Sequence, residues 1–263
     1  MSTPTPIPNT ITLAQKPFTQ IRLAIQSASG EGKTVAALTA PNPVVLDADN
    51  NLSITKAICA GKSADNVTVI PICDKEWIQK NLAVSNGRDA VFKWISVEAP
   101  KLSASHTLIL DSWTFIQNAF DSQTRLEPSI GRGGAEDKFA FWERKLTWSK
   151  SVCEILRVLK CNVIVTFHET VERNEEGVAT GKLKPLMQGA FADQLKGHFT
   201  DWFRQTAVAK LKDPNNRYSE VVGTDYMWQT QSDNICSCKT NLMGVKRLVP
   251  ANWDVFVNPD KYK

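Results

Sequence analysis

Ile21-Arg22-Leu23-Ala24-Ile25-Gln26-Ser27-Ala28-Ser29-Gly30-Glu31-Gly32-Lys33-Thr34 is the stretch on which the fold turns. An apolar run, Ile21 to Ile25, enters a glycine-rich turn, and helix-forming composition follows from Lys33 to Thr39. Ser27 to Thr34 fits the pattern G-x-x-x-x-G-K-[ST] except that serine stands for the first glycine. Serine suits that turn provided its φ stays negative. Gly30 and Gly32 let backbone N–H groups turn inward onto phosphate oxygens, where a Cβ would strain the loop. The helix N-terminus adds partial positive charge. Lys33 is expected to reach the β- and γ-phosphates of ATP, and the Thr34 hydroxyl to ligate Mg2+. The whole loop, Ser27, Ala28, Ser29, Gly30, Glu31, Gly32, Lys33 and Thr34, is the expected cradle.

Outward from the loop, short apolar strands alternate with helical patterns. Pro43 to Leu46 reads as a strand ending at Asp47, Asn51 to Ala60 as a helix, and Val67 to Ile72 as a third strand. Asp89 to Leu102 has helical spacing, Thr107 to Leu110 is a strand, and a helix starts at Trp113. Phe139 to Leu159 is amphipathic, and Asn162 to Phe167 is a further strand. This alternation predicts an α/β fold, a mostly parallel sheet flanked by helices. Beyond Gly197, Phe203 to Leu211, Tyr226 to Thr230 and Leu242 to Val245 read as short strands of a C-terminal antiparallel extension. Met1 to Thr10 is expected to be a flexible arm and residues 11–263 a single domain.

Three strand ends are polar. His106 to Ser112 is an apolar strand ending in Asp111, which places a carboxylate in the crevice where open α/β sheets bind ligands. Asp111 is expected to hold the Mg2+ of the nucleotide through its water shell, with Ser112 beside it in the nucleotide site; the alternative role for Asp111 is a turn or a cap for the helix that follows. Val44-Val45-Leu46-Asp47-Ala48-Asp49 ends in two carboxylates that period two would send to one side. Asp49 is the expected activator of the attacking water, with Asp47 the alternative and a turn-forming pair the plainer reading. The strand Val163 to Phe167 ends in His168-Glu169, where His168 is either a γ-phosphate contact or a surface histidine.

The chain has 263 residues, 42% of them hydrophobic, which is ample for one α/β core. Charged residues make up 22%, so disorder is not expected, and a net charge of +4 permits a nucleic-acid partner without requiring one. No apolar run approaches the roughly 20 residues of a membrane helix, and Met1 to Asn9 lacks a basic leader pattern. Six scattered cysteines suit reduced thiols in a cytoplasmic protein; Cys236 and Cys238 lack the second pair that a zinc site needs.

The order Ser27–Thr34, Leu46-Asp47-Ala48-Asp49-Asn50-Asn51-Leu52, Leu110-Asp111-Ser112, Thr166-Phe167-His168 resembles the RecA-like P-loop ATPase core. With Lys184-Pro185-Leu186-Met187, Tyr226-Met227-Trp228-Gln229-Thr230 and Lys246-Arg247, it is most similar to phage-encoded, single-domain RecA-like single-strand annealing ATPases. The resemblance covers about Ile21 to Pro250. It implies ATP hydrolysis with Lys33, Asp49 and His168 as catalytic residues, Asp49 being shorter than the glutamate usual there. It also implies binding of single-stranded DNA, a homo-oligomer in ring or filament form, a single-strand-binding protein as a further partner, and action in a host or bacterial cytoplasm. Lys246 and Arg247 would then reach a neighbouring subunit's γ-phosphate.

Two segments are candidate DNA loops under that resemblance. Pro128 to Ala135 contains Arg132, and Lys138, Arg144, Lys145 and Lys150 follow among Phe139, Phe141, Trp142 and Trp148. The spacing 139, 142, 146 favours a core stripe over a base-stacking surface. Glu169 to Leu195 reads as a long functional loop carrying Arg173, Lys182 and Lys184, whose charge is nearly cancelled by Glu169, Glu172, Glu175 and Glu176. The competing functions are a motor, loader or regulatory switch acting on a protein partner, and a small-molecule kinase.

Overall fold

The computed structural model describes residues 20–127, 138–187, 191–213, 215–216 and 218–263. In chain order these form β1 (Arg22–Ser27), α1 (Lys33–Leu38), β2 (Pro43–Asp47), α2 (Ile54–Cys59), β3 (Thr68–Ile70), α3 (Lys75–Leu82) and α4 (Gly87–Lys93). β4 (Thr107–Asp111), α5 (Trp113–Leu126), α6 (Lys138–Val158), β5 (Asn162–Arg173), β6 (Ala179–Pro185) and α7 (Phe191–Leu195) follow. β7 (Asp201–Leu211), β8 (Val221–Gln229), β9 (Leu248–Pro250) and α8 (Asp254–Val257) complete the fold.

The sheet order is β3-β2-β4-β5-β1-β7-β8-β9, with β6 paired to β5. The first six of these strands run parallel; β8, β9 and β6 are antiparallel to their neighbours. Period two divides each central strand between two cores. Ala24, Val44, Leu46, Leu108, Leu110, Val163 and Val165 face one layer, with Trp113 and Ile116 of α5 and Val152 and Leu156 of α6. Leu23, Ile25, Val45, Ile109 and Ile164 face the other, with Ala36 to Leu38 of α1 and Trp253 and Val255 near the C-terminus. The Trp253 N–H donates to Thr39 Oγ1 at 2.9 Å, tying the C-terminal segment to the end of α1.

Several sequence expectations shift. β7 lies parallel beside β1, so the antiparallel extension starts only at β8. Leu242 to Val245 is not a strand, because Gly244 adopts φ +77° and breaks the extended run; the edge strand is β9. The helix expected to Leu102 ends at Lys93 and gives way to a π turn and a 3-10 turn containing Pro100, which lacks an N–H to donate.

α6 corrects the expected core stripe. Its buried positions are Lys145, Ser149, Val152, Cys153 and Leu156, while Phe139 is 85% and Trp142 47% exposed. The long loop expected from Glu169 is instead a β-ribbon of β5 and β6, in register Glu169↔Pro185, Thr170↔Lys184 and Val171↔Leu183. Among the described residues, no helix is long and apolar enough to cross a membrane.

Candidate active site

β1 is buried along its whole length and delivers the chain to the C-terminal edge of the sheet. There Gly30 (φ +83°) and Gly32 (φ +76°) take left-handed conformations, while Ser27 does not. Gly32 has a second constraint: a Cβ there would lie 2.8 Å from Cε1 of Tyr226 on β8. The Lys33 ammonium folds back over the loop, donating to Ala28 O at 2.7 Å, Ser27 Oγ at 3.1 Å and Ser27 O at 3.2 Å. Burial pulls its pKa below the ordinary lysine value, against the attraction of Asp111, Glu31, Glu169 and Asp49.

Thr34, on α1 after β1, and Asp111, at the end of β4, lie at the ends of strands that are not neighbours, since β5 lies between β1 and β4. They still meet, because β5 presents the small Thr166 at that level. Thr34 Oγ1 donates to Asp111 Oδ2 at 2.7 Å and Thr166 Oγ1 to Asp111 Oδ1 at 2.6 Å. Burial pushes the Asp111 carboxyl above its usual range, the two hydroxyls opposing and nearby Asp49 adding to the rise.

Asp49 accepts from the Ser112 N–H at 2.8 Å and the Ser112 hydroxyl at 3.2 Å. Its other oxygen is 3.8 Å from His168 Nε2, which has no hydrogen-bond partner among the described residues. The Phe115 ring meets the His168 ring edge-on at 5.9 Å between centroids. Asp47 does not share this side. β2 ends at Asp47, so strand alternation does not carry through to Asp49. Burial raises the Asp47 pKa, opposed by the nearby backbone amides of Leu52, Asn51 and Asn50. Asp49 is therefore the carboxylate that faces Ser112 and His168.

A second polar cluster flanks the loop on the β7 side, and sequence reasoning missed it. Arg204 lies level with Gln26 in the β1–β7 register. Its Nε and Nη2 donate to the two oxygens of Glu169, both at 3.1 Å. Gln26 Nε2 reaches the same carboxylate at 3.4 Å. Gln205 links the Glu31 carbonyl to the Trp228 indole N–H. Glu31 Oε2 is buried without a hydrogen-bond partner among the described residues. The available signal was the strand β5 itself: if Phe167 is core and His168 turns to one side, Glu169 continues along the strand beside the loop.

Residues 19–233 match the AAA domain family. The chain belongs to that family. No curated protein matches the sequence. Among solved structures, the AAA domain is similar to the assembled ATPase EscN of the enteropathogenic E. coli type III secretion system, at 12% identity and TM-score 0.44. That match covers 72% of this chain and 43% of the other. EscN in complex with its central stalk EscO gives 13% identity, TM-score 0.41, and 72% and 42% coverage. The chain spans less than half the length of either.

Residues 19–233 thus form an AAA-type P-loop ATPase domain, and its donor set fits the Mg2+ that accompanies a nucleotide. Thr34 and Asp111 offer hard oxygens already within 2.7 Å of each other, the ligand type Mg2+ prefers. The expected DNA and inter-subunit residues are less gathered. Arg132 lies outside the described residues, as does the side chain of Lys138. Arg144 lies 3.7 Å from Glu127, and Lys145 is buried on Asp121 at 2.7 Å, which removes Lys145 from a surface role. On the ribbon, Arg173 donates to the Gly177 carbonyl at 2.8 Å. Lys182 and Lys184 line a groove of about 700 Å3 with Glu172 and Asp233. Lys246 is exposed, and Arg247 is paired with Asp233 of its own chain.

Proposed function

We propose that this AAA domain is a RecA-like ATPase that binds single-stranded DNA and promotes annealing or homologous recombination, with ATP controlling its grip. One observation carries the reading. β5 runs unbroken from Thr166 and His168, beside the site carboxylates, into the ribbon that bears Arg173, Lys182 and Lys184. That continuity would give a change at the phosphate end a route to the ribbon's cations. Exposed Phe139 and Trp142 add ring faces on which bases would stack.

In the proposed reaction Lys33 and the amides of the loop bind the β- and γ-phosphates. Water attacks the γ-phosphorus, the bond to the bridging oxygen breaks, and ADP leaves with the electron pair. Asp49, fixed by Ser112, takes the proton of the attacking water. His168 contacts the γ-phosphate and registers its departure. Mg2+, when bound through Thr34 and Asp111, neutralises phosphate charge.

A net charge of +4 allows few phosphate contacts per subunit, so several copies, as a ring or filament in the cytoplasm, share one strand. The test is ATP turnover with single-stranded oligonucleotides of increasing length. Turnover and affinity should both rise with length. No binding at low salt for any length would remove the DNA reading and leave a motor, loader or switch acting on protein.

A further inference from the structure

Four charged groups stand together on the β7 side of the phosphate loop: Glu31, Lys33, Glu169 and Arg204. Glu31 feels Glu169, Arg204 and Lys33, and Lys33 in turn feels Glu31 and Glu169. Asp111 and Asp49 also act on Lys33, so carboxylates outnumber cations around the loop. The Arg204 side chain is 20% exposed, against 6% for Glu169, so the guanidinium has an outlet and the carboxylate does not. Arg204 is level with Gln26, one residue before the loop begins, and β7 runs parallel to β1 toward the same edge. Glu169 directly follows His168 at the root of the ribbon.

We propose that Arg204 is a phosphate-sensing cation, and that Glu169 holds it in reserve until a nucleoside triphosphate enters the loop. This rests on the reading of Ser27–Thr34 as a triphosphate site. A triphosphate brings about four negative charges to the loop and a divalent cation offsets only two, so a nearby guanidinium is drawn toward it. The guanidinium fork that fits the Glu169 carboxylate also fits a phosphate with the same two-point geometry. Exchange of one anion for the other preserves Arg204's charge-assisted bonds, and the cost falls on the buried Glu169 carboxylate. Its consequence is local: Glu169, left without Arg204 beside the buried Glu31 oxygen, faces a like charge at the root of the ribbon.

An inert ion pair and a phosphate latch differ in how the two partners respond to substitution. Affinity for ADP and for a non-hydrolysable triphosphate analogue, both with Mg2+, should be measured in wild type, Arg204→Gln and Glu169→Gln. Arg204→Gln should lose preference for the triphosphate by about 10-fold or more, the worth of a charge-assisted contact. Glu169→Gln releases Arg204 and should increase that preference. Arg204→Lys, which keeps the charge but not the fork, should fall between wild type and Arg204→Gln, and serves should Arg204→Gln fold poorly. Preferences that shift in the same direction in both carboxamide variants, or that do not change, would overturn the latch. Failure of the wild-type protein to bind either nucleotide would instead overturn the underlying nucleotide reading.

Discussion

The two halves of β5 use charge in opposite ways. Around Thr166 and His168, polar groups are buried and fixed: Asp111 by two hydroxyls, Asp49 by Ser112, Glu169 by Arg204. Beyond Val171 the same strand is exposed, and opposing charges on the ribbon lie where water screens them. The first arrangement holds atoms where a reaction needs them. The second tolerates change, because surface charges contribute little to the fold. Substitutions should therefore have large effects on the first half and small ones on the second.

Asp111→Asn should have the largest effect among these sites. Loss of the anionic ligand should lower ATP turnover by about 10^3-fold or more, on the scale of a lost electrostatic contact to the transition state. Its stability should move the other way. Burial raises the Asp111 pKa, so its contribution favours the fold at low pH and is lost as pH rises through the folded value. Asparagine removes that pH-dependent cost. A melting temperature equal to or above wild type, with turnover abolished, would sharpen the contrast; a marked drop in melting temperature would break it.

Asp49→Asn should retain nucleotide affinity within a few-fold and lower turnover by about 10^2- to 10^4-fold, as expected for loss of a general base. Single-turnover kinetics beside equilibrium binding would separate the two. Normal turnover would remove Asp49 from the role.

A smaller effect should appear in the pH profile of binding. Lys33 is most useful to phosphate when protonated, and its free-state pKa lies below the ordinary 10.5. Nucleotide affinity should therefore decline on the alkaline side as pH rises through that lowered value, by about tenfold, a charge-assisted contact being worth roughly 1.5–3 kcal/mol. Lys33→Arg should not share that decline.

The smallest effect belongs to the ribbon. Lys182→Gln or Lys184→Gln should leave ATP turnover without DNA unchanged and weaken single-strand binding only severalfold. Each lost phosphate contact should reduce the log–log salt slope by about 0.7. An unchanged slope would place the DNA surface elsewhere.

The phosphate loop and the two-faced apolar strands were legible because both are local patterns: one fixed spacing, and period two. Asp111, Asp49 and His168 were legible as polar residues following apolar runs, and the structure brings them together, although β2 stops before Asp49 and β5 continues past His168. Their partners were not, because Thr166, Glu169, Arg204 and Tyr226 reach the loop through strand order. That order inserts β5 between β1 and β4 and sets β7 beside β1. The ribbon escaped detection for another reason. Glu172, Lys182 and Lys184 give neither face an apolar stripe, so no periodic signal marked it as paired strands. In α6 Lys145, buried on Asp121 in a long-range ion pair that spacing does not encode, takes a place on the core face while Phe139 and Trp142 lie outside it.

The site's central feature is the ammonium of Lys33 in a loop shaped for phosphate. Calorimetric titration of wild type and Lys33→Ala with ATP and Mg2+, together with steady-state hydrolysis, tests it most directly. The expected result is ATP binding and turnover by the wild-type protein, with affinity lowered about tenfold or more and hydrolysis abolished in the variant. Wild-type-like binding and turnover in folded Lys33→Ala would contradict the assignment of this loop as the catalytic phosphate site.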